Sequence, residues 1–232
     1  MSYFCLIFLI LIFNISSLDY NFFSQFGQDR YVFEHFKNKK NGIFIEMGGS
    51  DGITNSNTYF FEKYLNWKGI CIEPVEYLFK QLIKNRKSIN LNCAVWKIDG
   101  YASFIETQLP GEKNLGWSGL IDTYDQRHKD ELVNFWQKIH NCIVKETKIY
   151  CRQFNNICKE YEISHIDFLS IDTEGSELDI IKTIDFEKIL IDIITVEDNF
   201  NDTSITEFLK TKGFDFIIRL GVDNIYKNKR LT

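Results

Sequence analysis

Four acidic residues each close a short apolar run: Glu46 after Ile43-Phe44-Ile45, Glu73 after Ile70-Cys71-Ile72, Asp172 after Leu169-Ser170-Ile171, and Glu197 after Ile194-Thr195-Val196. A carboxylate at such a point can accept hydroxyl or ammonium hydrogens, balance a cation, or take up a proton. Behind Glu46 the chain breaks into a turn of small residues, Gly48, Gly49, Ser50, Asp51 and Gly52. Without a Cβ, glycine lets the backbone approach a ligand closely. The dinucleotide fingerprint G-x-G-x-x-G is not met, because Ser50 stands where its second glycine is required. A second turn of acids and glycine, Asp172-Thr173-Glu174-Gly175, follows the third run, and Pro74 ends the second one directly after Glu73.

The spacing acid-x-Gly-x-x-x-Gly over Glu46, Gly48 and Gly52 resembles the first motif of S-adenosylmethionine-dependent methyltransferases. That cosubstrate has a sulfonium, an amino-acid end, a ribose diol and an adenine. Glu73 is then expected to accept the two ribose hydroxyls, as the acid in nucleotide folds does. Glu46 is expected to receive the ammonium group, directly or through water, with the amides of the glycine turn along its path. Methyl transfer is an in-line displacement that mainly requires alignment, plus a base where the acceptor must lose a proton. Asp172 and Glu174 are the candidates for that end. Asp172 serves equally well at the methionine end, and the two roles stay open. Glu177 is a further acid, although a first-turn acid also suits the helix dipole. No metal ligand set is read: the cysteines have no zinc spacing, and the four histidines lack a motif. His165, at the start of a strand, reads as structural.

The elements that must hold these residues alternate. Helical spacing is expected over residues 24–38, 54–65, 75–86, 129–141, 154–161, 176–183 and 204–212. Strands are expected over 42–47, 69–73, 89–95 and 190–197, and another in 165–175 that ends in its acids and glycine, with a closing hairpin of 214–219 and 224–227. Asp99-Gly100 signals a hairpin leading into 101–106, residues 108–125 read as a glycine-dotted loop holding Trp117, and 143–152 read as extended chain. The expected fold is α/β: a Rossmann-type, class I methyltransferase-like sheet of seven strands, mostly parallel, with an antiparallel C-terminal hairpin. All four strand-end acids then share the C-terminal edge of the sheet, where open α/β folds bind ligands.

Composition narrows the partners. With 232 residues and 44% hydrophobic content, one large domain with a full core is expected. A net charge of −5 argues against nucleic acid as a partner. Residues 1–18 stand apart as a hydrophobic leader, with 19–232 as the domain. Residues 3–13 are uninterrupted apolar sequence, too short to span a bilayer and of the length of a signal-peptide core. Cleavage after Ser17 or retention as a short anchor with membrane association would both place the chain in the secretory pathway; a buried N-terminal element in a cytoplasmic protein is the alternative. Cys71 and Cys93 are expected to behave as small apolar residues, and one disulfide is open to Cys142, Cys151 and Cys158 in an oxidising lumen.

Over residues 24–228 the chain resembles the FkbM family of methyltransferases. The resemblance rests on FSQFGQD (residues 23–29), GIFIEMGGSDG (42–52), SNTYFFEKYLNWKGICIEP (56–74) and IDFLSIDTEGSELDIIK (166–182), and it is strongest to a branch that includes the animal Star proteins and viral homologues. It implies S-adenosylmethionine as cofactor and O-methylation of a glycan or other small hydroxyl compound. By motif match it implies cofactor contacts from Glu46, Gly48, Gly52, Glu73 and Asp172, and by branch pattern from Gln28, Asp29, Ser56 and Asn57. Gly49, Ser50, Asp51 and Pro74 complete the expected cofactor set. Residues 108–125 and 129–141 would form the acceptor side, with Trp117 either stacking on a sugar or tucked into the core. Two departures stand out: glutamate replaces the usual aspartate at Glu46, and Met47-Gly48-Gly49-Ser50 replaces the commoner small-Gly-Ala-Asn. Two other readings compete. The Star resemblance allows a methyltransferase fold without turnover, serving as a trafficking adaptor. Asp172-Thr173-Glu174 also imitates the acidic pair with which glycosyltransferases hold a metal–nucleotide sugar.

Overall fold

A computed structural model describes residues 20–111 and 113–230. In chain order its strands are β1 (Ile43–Met47), β2 (Lys68–Ile72), β3 (Ile89–Leu91), β4 (Ala94–Val95), β5 (Gly100–Leu109), β6 (Lys113–Asn114), β7 (Gly119–Leu120), β8 (Ile143–Arg152), β9 (His165–Ile171), β10 (Leu190–Glu197), β11 (Phe214–Leu220) and β12 (Asp223–Asn228). The helices are α1 (Gln28–Phe36), α2 (Tyr59–Leu65), α3 (Glu76–Asn85), α4 (Gln126–Glu131), α5 (Lys138–His140), α6 (Phe154–Glu160), α7 (Glu177–Thr183) and α8 (Thr203–Thr211).

The main sheet runs β11-β12-β10-β9-β1-β2-β3, parallel except for the C-terminal β11–β12 hairpin, whose β12 lies antiparallel to β10. This is the expected architecture. Alternation along β1 sends Ile45 and Met47 to one face and Phe44 and Glu46 to the other. Ile45 and Met47 pack in a core with Phe154 and Ile157 of α6, Ile180 and Ile181 of α7, and Leu209 of α8. Phe44 joins Val32 of α1, Phe60, Phe61 and Leu65 of α2, Leu82 of α3, and Trp67. Both faces of the central strands are therefore covered, which is why they read as unbroken apolar runs.

Several expected elements differ, each for a local reason. Residues 54–58 are not helical: Ser56, Asn57 and Thr58 turn their donors onto Glu46, and α2 begins only at Tyr59. The apolar run 89–95 splits, with β3 closing the main sheet and β4 entering a second sheet of order β4-β8-β5-β6. Asp99-Gly100 joins β4 to β5, but β8 inserts between them, parallel to β4 and antiparallel to β5, so no tight hairpin forms. The stretch 108–125 contains the short strands β6 and β7. The helix expected over 129–141 starts earlier, capped by Asp125, and passes through a π-helical turn at Leu132–Gln137.

Cys71, Cys93, Cys142, Cys151 and Cys158 are all buried free thiols. Among the described residues no helix is long and apolar enough to cross a membrane. The leader expectation for 1–18 falls outside the described residues.

Candidate functional site

A cavity of about 560 Å³ opens at the C-terminal ends of β1, β2, β9 and β10, within the size range of small-molecule sites. From β1 the chain proceeds to β2 and β3 on one side, while β9 and β10 lie on the other. A ligand cleft forms at such a switch point because the loops leaving the two strands diverge. The second sheet roofs the cavity with Phe104, Leu120 and the segment from Leu115 to Ser118.

The glycine turn is shaped first by the protein's own packing. At Gly48, φ is +79° and a Cβ would stand 2.0 Å from the Asp172 carbonyl oxygen; at Gly52, φ is +87° and a Cβ would stand 2.7 Å from Arg86 Cγ. Neither position accepts a side chain, so β1 can lie close to β9 and to α3. The amides of Gly48 and Gly49 both donate to the Ile72 carbonyl at 3.0 Å, pinning the turn to the end of β2. The Ser50 amide then donates to Glu73 Oε2, and the Val75 amide donates to Glu73 Oε1, each at 2.8 Å. Burial pushes the Glu73 carboxyl up to about 7 in spite of these two donors. Glu73 is thus held at the cavity wall with acceptor capacity remaining on each oxygen.

Glu46 is placed elsewhere. It shares the Phe44 face of β1, and its carboxylate does not line the cavity. It accepts from Ser56 Oγ, the Asn57 amide at 2.8 Å, Thr58 Oγ1 at 2.7 Å and Arg86 Nη1 at 3.0 Å. Arg86, with no exposed side-chain surface, also binds Glu62. The Glu46 carboxylate belongs to a buried ion-pair network that shapes the 56–58 turn from behind. Ser56 and Asn57, which Glu46 anchors, do line the cavity. Asn57 Nδ2 donates to Ser170 Oγ at 2.9 Å, leaving the buried Asn57 Oδ1 without a partner.

Opposite Glu73 the carboxylates converge. The register Ile171↔Val196 sets Asp172 beside Glu197, and Glu197 faces Asp223 across β10 and β12. Burial, and then the charges of Asp223 and Glu177, hold Asp172 well above the usual carboxylate range. Glu174 is raised by burial and by Asp172; Glu197 by burial, Asp172 and Glu174. Two neighbouring acids serve the fold. Glu177 Oε1 accepts from the Thr173 amide and hydroxyl at 2.8 Å, and its Oε2 from the Gly175 amide at 3.0 Å, which sets the turn carrying Glu174. Asp223 accepts from Gln28 Nε2, tying α1 to the C-terminal hairpin.

Of the expected site residues, Gly48, Gly49, Ser50, Asp51, Ser56, Asn57, Glu73, Pro74, Asp172 and Glu174 line one cavity. Glu46 and Gly52 support it from outside. Asp29 is also internal, its carboxylate accepting from the Phe23 and Arg30 amides. Sequence reasoning did not find Arg86, Thr58 or Asp223, whose roles depend on partners distant in sequence. Trp117 lines the cavity with its ring against His128 (centroids 4.8 Å apart) and Trp136 (5.8 Å). His165 pairs with Asp192 at the far end of the sheet.

The sheet order, the reversed C-terminal hairpin and the cleft beside β1 define the class I methyltransferase fold. The profile of the methyltransferase FkbM domain matches residues 46–219, and the chain belongs to that family. Among solved structures, it is similar to a methyltransferase FkbM from Methylobacillus flagellatus at 12% identity and a TM-score of 0.46, over 82% of this chain and 44% of that one. It is similar to the METTL16 methyltransferase domain at 11% identity and a TM-score of 0.43, over 86% and 65% of the two chains. A methyltransferase from Pyrococcus furiosus aligns at 12% identity and a TM-score of 0.39, over 97% and 95%. This chain therefore spans less than half the length of the Methylobacillus protein. No curated protein matches its sequence.

Proposed function

We propose that the protein is an S-adenosylmethionine-dependent methyltransferase acting on oxygen of a glycan or other small hydroxyl compound. The observation that carries this reading is Glu73, a buried carboxylate at the tip of β2, oriented by the Ser50 and Val75 amides toward the cavity. The residues present fit the cosubstrate. Glu73 retains acceptor capacity for a ribose diol, and the unpartnered Asn57 Oδ1 accepts from an ammonium group. The Asp172–Glu174–Glu197 side of the cavity suits a cationic ligand. Leu78, Val95 and Phe104 offer apolar surface to a base.

When bound, the cosubstrate supplies an electrophilic methyl group on sulfur. The chain's own work is to align an acceptor oxygen with it and to remove the acceptor's proton. Glu174 Oε2, buried and unpartnered, is placed to take that proton. Burial, and then the charge of Asp172, raise its affinity for protons above that of an ordinary carboxylate. Trp117 and the segment around it form the acceptor wall, where an aromatic face suits a sugar ring.

Calorimetric titration of the full chain with S-adenosylmethionine and with its demethylated product tests the cofactor assignment. Micromolar binding of both supports it, and absence of binding by a folded chain overturns it. Labelled-methyl transfer to a glycan panel then tests the acceptor class.

A second reading, an adaptor without turnover, is favoured by one observation. The outer surface of the second sheet and of the helical segment before it exposes Tyr101, Tyr150, Ile139 and Ile143, each at least 45% accessible. Cofactor binding with no transfer to any acceptor, together with loss of partner binding in Tyr101→Ser/Tyr150→Ser, would select it.

A further inference from the structure

We propose that Asp172, Glu174 and Glu197 form a binding site for a divalent cation of the magnesium or manganese type. One carboxylate oxygen from each lies within 4.8 Å of the others, a few tenths of an ångström of side-chain adjustment from the spacing of oxygens around a single ion. At metal–oxygen distances of about 2.1 Å, ligands on opposite sides of an ion are about 4.2 Å apart. Three separate elements supply the oxygens: the end of β9, the turn that Glu177 holds in place, and the end of β10.

The independent sign of a ligand is Glu174. Its residue is only 8% exposed, yet Oε2 is fully buried with no hydrogen-bond partner. A carboxylate oxygen left without a donor inside a protein is costly, and a bound cation removes that cost. No ion pair among the described residues reaches Glu174: Arg86 is engaged by Glu46 and Glu62, and Arg219 by Asp198.

The donor set is all carboxylate oxygen, which selects a hard cation rather than zinc or copper. Three protein oxygens leave coordination positions open, and all three residues line the cavity, so those positions face it. The role of the ion in methyl transfer rests on the function proposed above: it would chelate an oxygen-rich acceptor, with Glu174 Oε2 then a ligand and the acceptor proton leaving to solvent. Binding of the ion does not rest on that function.

The second group of clustered ligands, His165, Asp167 and Asp192, is satisfied from within. Asp167 binds Lys39 and the Ile43 amide, and Asp192 binds His165. It serves as the control.

The test is titration of the metal-stripped full chain with Mn²⁺, following loss of the free-ion electron paramagnetic resonance signal, without any cosubstrate. The expected result is one ion per chain, displaced by excess Mg²⁺. Glu174→Gln and Glu197→Gln, in variants with wild-type circular dichroism, should weaken binding by at least about tenfold, and Asp192→Asn should not. No binding by the folded wild type overturns the proposal without touching the cofactor assignment. Undiminished binding in both Gln variants, or loss only in Asp192→Asn, overturns it as well. Displacement of Mn²⁺ by S-adenosylmethionine would assign the trio to the cosubstrate's ammonium group and likewise overturn it.

Discussion

Arg86 Nη1 lies 3.0 Å from Glu46 Oε2, and the two side chains are almost completely shielded from water. This pair joins the end of α3 to β1, and through Ser56 and Thr58 it also holds the turn that forms one cavity wall. The acid of the glycine motif therefore shapes the cavity wall through the turn it anchors.

Removing one member of a buried pair leaves an uncompensated charge. Arg86→Leu should destabilise the fold by about 3–5 kcal/mol in urea denaturation. Glu46→Gln should cost less, since Glu62 still faces Arg86. If Glu46→Gln folds, its cosubstrate affinity should fall only as far as the 56–58 turn is displaced, and full loss of affinity in an undisturbed structure would return Glu46 to the ligand.

Glu73→Gln should weaken S-adenosylmethionine binding by about 1.5–3 kcal/mol, the range for hydrogen bonds to a charged group. Because the free carboxyl is raised to about 7, binding hydroxyl donors draws it toward the ionised form. Affinity should therefore fall as pH drops below about 7, with proton release at pH 6.5 seen as a dependence of calorimetric heat on buffer. Both effects should vanish in Glu73→Gln.

The same shift has a consequence for stability. Between its ordinary value of 4.5 and about 7, the folded chain keeps a Glu73 proton that the unfolded chain has lost. Stability from this group is complete below the unfolded value and declines as pH rises through the window. Relative to Glu73→Gln, the wild type should lose on the order of 3 kcal/mol between pH 4.5 and 7.5. Parallel denaturation curves at several pH values measure this difference.

Glu177→Ala should release the Thr173–Gly175 turn. Three donors lose their acceptor, which costs about 1–3 kcal/mol, and Glu174 loses its fixed position. Methyl transfer should fall more than cosubstrate affinity, since Glu73 and Asn57 are untouched. Equal losses of both would place Glu177 at the cosubstrate.

Gln28 reaches across 195 positions of sequence to Asp223. Gln28→Leu leaves a buried carboxylate oxygen without its donor, and Asp223, already raised to about 6 by burial, should rise further. A stability loss of about 1–3 kcal/mol, smaller at acid pH where Asp223 is protonated, is the expected outcome in thermal or urea unfolding.

The sequence by itself determined the strand-helix order, the sheet's parallel body and reversed edge, and the placement of Glu73, Asp172 and Glu197 at one sheet edge. Those features follow from local pattern: apolar runs, the acids that end them, and glycine turns. What it could not determine was the direction and partner of each side chain. Whether Glu46 faced a ligand or Arg86 depended on which face of β1 it occupied and on α3, forty positions away. The split of 89–95 between two sheets was equally closed to local reading, because β8, the partner of Ala94 and Val95, lies more than forty residues downstream. Only the register of β9 against β10 brings Asp172 next to Glu197, and only the Glu177-held turn adds Glu174 to them. Pattern fixes where a carboxylate stands along the chain; packing between distant elements decides what surrounds it, and a carboxylate's chemistry is set by those surroundings.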